Sequence, residues 1–350
     1  MISQKLISWY SLNKRVLPWR DTDNPYLIWV SEIILQQTRV VQGLGYYHRF
    51  IDTYPDIFSL ARADIDDVLK IWQGLGYYSR ARNMHTAARH IVDVYQGNFP
   101  TTYDRLLTIK GIGDYTASAI ASLAFGQAVP VIDGNVNRVI ARLFGVQQPV
   151  NKPAGQREIR AHAEKLMVRD APGTYNQAIM EFGALQCVPQ NPDCSDCIFN
   201  RICVACQSGL ADMLPVKAKT VKVTTRYFHY LHVRLGSRTF IRRRADGDIW
   251  TGLYEFPMIE TSEETGLNDL SQTPVWQSYF DGQTPLVETV SPEITHRLTH
   301  RILKIRFYEI TVERAISGTG LIEIPATELH RYAVPIIIDH WIHHKDHVSV

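Results

Sequence analysis

Apolar residues recur at three- and four-residue spacing from Met1 to about Cys206, with glycine and proline at the joints, and this pattern predicts helices throughout the first part of the chain. Between Gly209 and Thr225 the period disappears in Leu214-Pro215-Val216-Lys217-Ala218-Lys219, a mixture that suits a linker. Beyond it, Tyr227 to Leu235, Thr239 to Arg243 and Arg301 to Val312 are β-branched and aromatic with alternation, which predicts strands. The expected fold class is multidomain α and α+β: an all-helical domain over residues 1–208, a linker over 209–224 and a smaller α+β domain over 225–350. One internal echo is present, Gln42-Gly43-Leu44-Gly45-Tyr46-Tyr47 returning as Gln73-Gly74-Leu75-Gly76-Tyr77-Tyr78. A single echo does not signal a solenoid.

At 350 residues, with 45% hydrophobic and 21% charged positions, the chain can build two cores. No apolar run approaches a membrane span. A net charge of +2 is too small for a purely electrostatic nucleic-acid binder, so any DNA binding must be locally organised. Lys14, Arg15 and Arg20, and later Arg80 with Arg82, are the local clusters, although such runs are more often solvated faces.

Three segments hold candidate chemistry. Asn24-Pro25 is a helix start, a side-chain cap with a preset first turn, and Glu32 lies inside that helix with Ile28, Trp29, Leu35 and Gln36 as helical neighbours. A carboxyl group held there would lose hydration and keep its proton near neutral pH, although from this segment alone a solvent-facing glutamate is the more frequent outcome. Asp133 precedes Gly134-Asn135-Val136 and caps a second helix that closes at Gly145. As a cap it is expected to be more acidic than usual, which would divide acid and anion roles between two similar groups. Ile109-Lys110-Gly111-Ile112-Gly113, followed by Asp114 and Tyr115, permits a tight hairpin whose free N–H groups can hold a phosphate, though a glycine pair alone is a weak signal.

Cys187, Cys194, Cys197 and Cys203 are separated by six, two and five residues, and Cys206 is left over. Four thiolates from so short a stretch suit a tetrahedral sulfur site, either zinc or an iron-sulfur cluster. The odd cysteine count and the lack of an apolar export signal after Met1 argue for a reducing, cytoplasmic setting and against disulfides.

Glu32-Ile33-Ile34-Leu35-Gln36-Gln37-Thr38, Gly74-Leu75-Gly76-Tyr77-Tyr78-Ser79-Arg80-Ala81-Arg82-Asn83, the glycine hairpin, Asp133-Gly134-Asn135-Val136 and the four-cysteine spacing appear in one order. That order resembles the helix-hairpin-helix DNA glycosylase superfamily, specifically its adenine DNA glycosylases of MutY type, over nearly the whole chain. The resemblance implies that Cys187, Cys194, Cys197 and Cys203 hold a [4Fe-4S] cluster. It implies that Glu32 protonates a flipped adenine while Asp133 stabilises the oxocarbenium-like sugar, with Tyr115 and Asn135 positioning sugar and carboxylates. Trp19 and Arg20 match an adenine-pocket segment, Gln37, Thr38, Leu75 and Tyr77 match residues that wedge into the duplex, and Gly111 and Gly113 match the DNA-contacting hairpin. The first copy of the hexapeptide, around Gly43, has no counterpart there and reads as helix-turn packing.

Bifunctional relatives of endonuclease III type carry a lysine where this chain has Tyr115, and a phenol forms no Schiff base. A monofunctional glycosylase is therefore expected, with an endonuclease III type enzyme for oxidised pyrimidines as the alternative and Lys110 as the nearest source of incidental trapping. Trp250-Thr251-Gly252-Leu253-Tyr254-Glu255-Phe256-Pro257 resembles the family's C-terminal domain, related to Nudix hydrolases. Only Glu260, Glu263 and Glu264 follow, without the Nudix arginine and spacing, so recognition of 8-oxoguanine is expected there, not hydrolysis. The family's Phe-Ser-His element is here Leu298-Thr299-His300, which places lesion recognition on Thr299 and His300. The implied partner is double-stranded DNA with adenine opposite 8-oxoguanine or guanine, bound by a monomer without membrane association.

Overall fold

The computed structural model describes residues 2–218 and 223–343. Residues 219–222 of the expected linker, and Met1 and 344–350 at the ends of the two expected domains, lie outside the described residues. The chain forms two compact units. One uses the chain up to Arg62 and again from Asn83 to the linker, and the other joins Ala63–Arg82 to the chain beyond the linker.

The first unit is helical. Asn24 accepts a hydrogen bond from the Tyr26 N–H at 2.9 Å and starts the helix Pro25–Leu35, in which Ile28, Trp29, Val30, Ile33 and Ile34 are buried. Asp133 accepts from the Val136 N–H at 2.7 Å and caps Gly134–Phe144, which Gly145 ends in the left-handed region. One side of that helix, Val136, Val139, Ile140 and Leu143, shares a core with Tyr175, Ile179 and Phe182 of Pro172–Leu185 and with Leu6 and Tyr10 of Ile2–Asn13. Full burial of each such side chain is worth about 1.5 to 3 kcal/mol. Tyr103–Leu107 and Asp114–Leu123 are joined by the expected hairpin. At Gly111 the backbone has φ +94 and an added Cβ would lie 2.8 Å from the Asn83 Cβ, so glycine is required twice over.

The first hexapeptide copy lies within the helix Val40–Thr53, where a Cβ on Gly43 would meet Leu35 at 2.9 Å. This glycine lets two helices pack closely, as the sequence reading proposed. The linker is tied to this unit as far as it is described: Val150 N–H donates to the Val216 carbonyl at 2.9 Å, and Asn151 exchanges two 2.9 Å hydrogen bonds with the Ala218 backbone.

The second unit is built on a mixed sheet of β1 Thr224–Leu235, β2 Arg238–Arg243, β3 Tyr254–Glu255, β4 Met258–Thr261, β5 Leu286–Val290, β6 Ile294–Arg297, β7 Arg301–Thr311 and β8 Leu321–Pro325. β1 and β7 run parallel at its centre, in register from Thr224 opposite Arg301 to Arg234 opposite Thr311. Alternation along β1 feeds two cores. Phe228 and Tyr230 pack with Ile337, Ile338 and Trp341 of the helix Ile336–His343, while Leu231 and Val233 pack with Trp276 and Phe280 of Pro274–Phe280. β6 and β7 form a hairpin whose tip is Leu298-Thr299-His300, closed by Leu298 N–H to the Arg301 carbonyl at 2.8 Å.

Ala63–Arg82 is fastened to this sheet unit by side chains. Asp66 accepts from Arg243 and from the Tyr254 hydroxyl, both at 2.8 Å, Lys70 reaches the Tyr332 carbonyl at 3.0 Å, Gln73 donates to Asp339 at 2.7 Å and Arg82 donates to the Thr251 carbonyl at 2.6 Å.

Candidate active site

In the helical unit a cavity of about 600 Å³ is lined by Trp19, Arg20, Glu32, Thr38, Tyr115, Asp133 and Asn135, among others. Glu32 comes from the middle of a buried helix and Tyr115 from the first turn after the glycine hairpin. Asp133 and Asn135 come from the start of Gly134–Phe144. The alternative of a solvent-facing Glu32 does not hold, because its helix is buried and leaves the residue 7% exposed. Burial raises its pKa to about 7; the Tyr115 hydroxyl, which donates to one carboxylate oxygen, opposes that rise, and the nearby Asp133 adds to it.

Asp133 corrects a second expectation. The Val136 N–H and the Asn135 amide, 2.8 Å from its other oxygen, favour the ionised form as a cap should, but desolvation outweighs them and its pKa lies above the usual value. Both carboxyls are thus less acidic than usual. Only Asp133 has backbone and amide donors to support its anion, so Glu32 is the one that keeps its proton near neutrality.

Arg20 is not the surface residue its sequence context suggested. Its guanidinium donates to both oxygens of Glu181, at 2.9 and 2.5 Å, and Arg15 does the same with its side chain at 2.9 and 2.5 Å and adds its backbone N–H at 2.9 Å. Burial pushes the Glu181 carboxyl up, but these hydrogen bonds prevail and hold it at about 2. Trp19 is buried with its ring edge-to-face against Tyr47 at 5.0 Å. Glu181 and Met180 line the cavity and were not found from the sequence, since their partners lie far away along the chain, and Arg15 was noted there only as part of a basic cluster. Arg138, which donates to Asn135 at 2.8 Å, was likewise missed.

Gln37 is exposed beside Thr38, and Gly111 and Gly113 are exposed in the hairpin. Leu75, Tyr77, Thr299 and His300 belong to the sheet unit, where they line a separate cavity of about 720 Å³ with Trp250, His296 and Arg301. Leu75 is buried there while Tyr77 is 51% exposed. Asp248 on the same rim accepts from Arg226, Arg244 and Arg301, and hydrogen bonds from Arg226 first hold its pKa well below the usual range. Glu260 and Glu264 pair with Arg226 and Arg306.

Cys187, Cys194, Cys197 and Cys203 are unpaired and line one cavity of about 30 Å³, and Cys206 lines it too. Among the described residues no group of three or more His, Cys, Asp or Glu is arranged to hold a single metal ion. Arg142 fixes the loop: it donates to the Cys187 sulfur at 3.4 Å, to the carbonyls of Val188 and Pro189 at 2.7 and 2.9 Å, and to that of Leu214 at 3.1 Å.

The family of HhH-GPD superfamily base excision DNA repair proteins matches residues 30–167, and the NUDIX domain family matches residues 229–344. An adenine DNA glycosylase of Buchnera aphidicola (subsp. Schizaphis graminum) is 34% identical over 266 residues, 76% of this chain and 77% of that protein. The human adenine DNA glycosylase is 42% identical over 211 residues, 58% of this chain and 39% of that protein. Among solved structures, a thermostable thymine-DNA glycosylase superposes with a TM-score of 0.55 at 27% identity, covering 59% of this chain and 95% of that one. An endonuclease III bound to DNA superposes with a TM-score of 0.52 at 20% identity over 60% of this chain and 96% of that one, a likeness of fold. With two carboxyl groups in one buried cavity, a helix-hairpin-helix scaffold, a Nudix-like second unit and relatives matched over most of both lengths, this chain belongs to the adenine DNA glycosylases of base excision repair.

Proposed function

We propose that this enzyme excises adenine paired with 8-oxoguanine or guanine in double-stranded DNA, with Glu32 as general acid and Asp133 as the anion that supports the sugar cation. The observation that carries the reading is the joint placement of these two carboxyls in one cavity, with donors on Asp133 and apolar walls around Glu32. Adenine must leave the duplex to reach them. Protonated Glu32 gives its proton to the base and makes it a better leaving group, Asp133 faces the developing positive charge, and water completes hydrolysis of the N-glycosidic bond. Asn135 holds the Asp133 carboxylate and Tyr115 orients Glu32. Trp19 and Arg20 wall the base pocket, Gln37, Thr38, Leu75 and Tyr77 act at the duplex, and the N–H groups at Gly111 and Gly113 receive a phosphate. Thr299 and His300 read the oxidised base from residues 225–350, while residues 1–208 carry out the chemistry.

The donor set fits an iron-sulfur cluster. Four cysteines converge on one small cavity, and four soft thiolates are the ligand set such a cluster takes. Cys187, Cys194, Cys197 and Cys203 would hold a [4Fe-4S] cluster, which when bound staples the loop between the last helices of this unit. The enzyme is read as a monomer acting in the cytoplasm.

The test is a cleavage assay on duplexes carrying adenine opposite 8-oxoguanine, adenine opposite guanine, and thymine glycol. Abasic product from the first two and none from the third is expected. Release of thymine glycol with strand cleavage would instead favour the endonuclease III type reading.

A further inference from the structure

The Tyr115 hydroxyl has one proton to donate and two acceptors within reach. It donates to the Glu32 carboxylate, and the thioether sulfur of Met180 lies 3.6 Å from the same oxygen, a hydrogen-bond length that the large radius of sulfur allows. Among the described residues, these are the two acceptors the structure gives this hydroxyl. Met180 comes from the helix Pro172–Leu185 and lines the cavity beside Glu181, whose carboxylate is committed to Arg15 and Arg20. Burial, and then the charge of Glu32, hold the Tyr115 pKa well above its usual value, so the phenol keeps its proton near neutral pH and must place it on an acceptor. While Glu32 is ionised, its carboxylate takes that proton, since a charged oxygen is a far better acceptor than a thioether. Once Glu32 is protonated, its own O–H can turn to the Tyr115 oxygen, and the phenolic proton then needs the second acceptor.

We infer that Met180 is a positioning residue that receives the Tyr115 proton whenever Glu32 holds its own, and so keeps the general acid loaded. The inference rests on the reading of Glu32 as that acid. No bond is made or broken in the movement: the phenolic O–H turns to sulfur as Glu32 takes up a proton, and turns back to the carboxylate as that proton goes to the base. Other ionisable groups face the same space. Asp133 adds to the rise in the Glu32 pKa, Arg20 opposes it, and Arg15, Arg39, Arg138 and Glu181 line the wall. A substitution at Met180 alters none of their charges, so a shift that depends on the Tyr115 hydroxyl reports the sulfur contact.

The test is single-turnover excision from a duplex with adenine opposite 8-oxoguanine, measured across neutral pH on the full chain as parent, Met180→Leu, Tyr115→Phe and the double variant. The carboxylic acid band of Glu32 is followed beside it by infrared difference spectroscopy and assigned by its loss in Glu32→Gln. Leucine keeps the volume of methionine and removes the sulfur. Met180→Leu should move the alkaline limb and the titration of the band down by about half a pH unit, which is about a three-fold loss of rate on the alkaline side. In Tyr115→Phe the same substitution should move neither. An unshifted limb and band in Met180→Leu, with the parent limb in place, overturns the inference and leaves Glu32 as the acid. Equal shifts with and without the Tyr115 hydroxyl show that Met180 acts by packing, and overturn it too. A parent without an alkaline limb, or a limb that survives in Glu32→Gln, overturns the reading of Glu32 and the inference with it. If Met180→Leu fails to fold, norleucine incorporated for methionine in parent and in Tyr115→Phe decides: a downward shift in the first alone supports the role, and equal shifts or none overturn it.

Discussion

The phenolic oxygen of Tyr77 and the hydroxyl of Thr299 lie 2.9 Å apart, joining residues 222 positions apart in sequence at the mouth of one cavity. Tyr77 belongs to the segment proposed to act at the duplex and Thr299 to the tip of the β6–β7 hairpin. Under that proposal one contact joins the duplex-facing loop to the group proposed to read the oxidised base.

8-Oxoguanine differs from guanine by an oxygen at C8 and a hydrogen on N7, and a hydroxyl can address either. Thr299→Ala should weaken binding to adenine opposite 8-oxoguanine by roughly ten-fold and leave the guanine duplex nearly unchanged. Tyr77→Phe should produce part of the same loss, and the double variant should lose less than the sum because the two share one bond. Equal losses on both duplexes, measured by equilibrium binding, would move lesion reading away from this pair.

As the proposed general acid, Glu32 should set the alkaline limb of activity. With a pKa of about 7, the protonated acid is present below that pH and is lost above it, so single-turnover excision should fall as pH rises past neutrality. Tyr115→Phe removes a hydrogen bond that favours the carboxylate, so the limb should shift to higher pH. Glu32→Gln should abolish the limb and reduce excision by about 10² or more while mismatch binding persists.

Under the proposed correspondence, Tyr115→Lys places an amine where bifunctional relatives keep theirs, beside Glu32. Strand cleavage and borohydride trapping should rise well above the parent. Trapping at the parent level would show that Tyr115 does not occupy that position.

Glu181 is 1% exposed and holds two guanidinium groups at the cavity wall. Glu181→Ala strands Arg20 in a partly buried place and should cost about 3 kcal/mol of stability or more by denaturant titration. Arg15→Ala should cost much less, since its side chain is 35% exposed. Because the folded pKa of Glu181 is below the unfolded one, this stabilisation is complete above about pH 4.5 and fades only as pH falls towards 2.

His229, on β1, is buried between the Tyr308 hydroxyl at 3.0 Å and the Thr261 hydroxyl at 3.1 Å, and burial lowers its pKa to about 4. The unfolded chain binds this proton first, so stability is complete above about pH 6.5 and is lost as pH falls towards 4, by on the order of 2 to 3 kcal/mol. His229→Gln should flatten that part of the acid denaturation profile. An unchanged slope would assign the acid sensitivity to other groups.

The two hexapeptides show where sequence reading stops. Gln-Gly-Leu-Gly-Tyr-Tyr is part of a helix at 42–47, whereas at 73–78 it is a loop in which Gly74, Gly76 and Tyr77 have φ of 94, 73 and 48. Trp72 donates to the Gly76 carbonyl and the Tyr78 hydroxyl accepts from the Gly74 N–H, both at 3.2 Å, so flanking residues and tertiary contacts decide between the two shapes. The helix starts at Asn24 and Asp133 were legible because a cap acts within three residues. Glu181 was not, because its meaning depends on arginines 161 and 166 positions away. The Asp133 pKa was misjudged because a cap is local and burial is not.

The helix Gly134–Phe144 begins at the Asp133 cap. Its Arg138 donates to Asn135 and to the carbonyls of Gly183 and Cys187, and its Arg142 gathers the cysteine loop. Eleven residues of helix span about 16 Å as one stiff rod. A cysteine loop that had not closed would deprive Arg142 of its acceptors on Cys187, Val188 and Pro189 and Arg138 of one, loosening one end of the rod that bears the Asp133 cap at the other. Closure of the cysteine loop and the position of the Asp133 cap are thus borne by opposite ends of one helix.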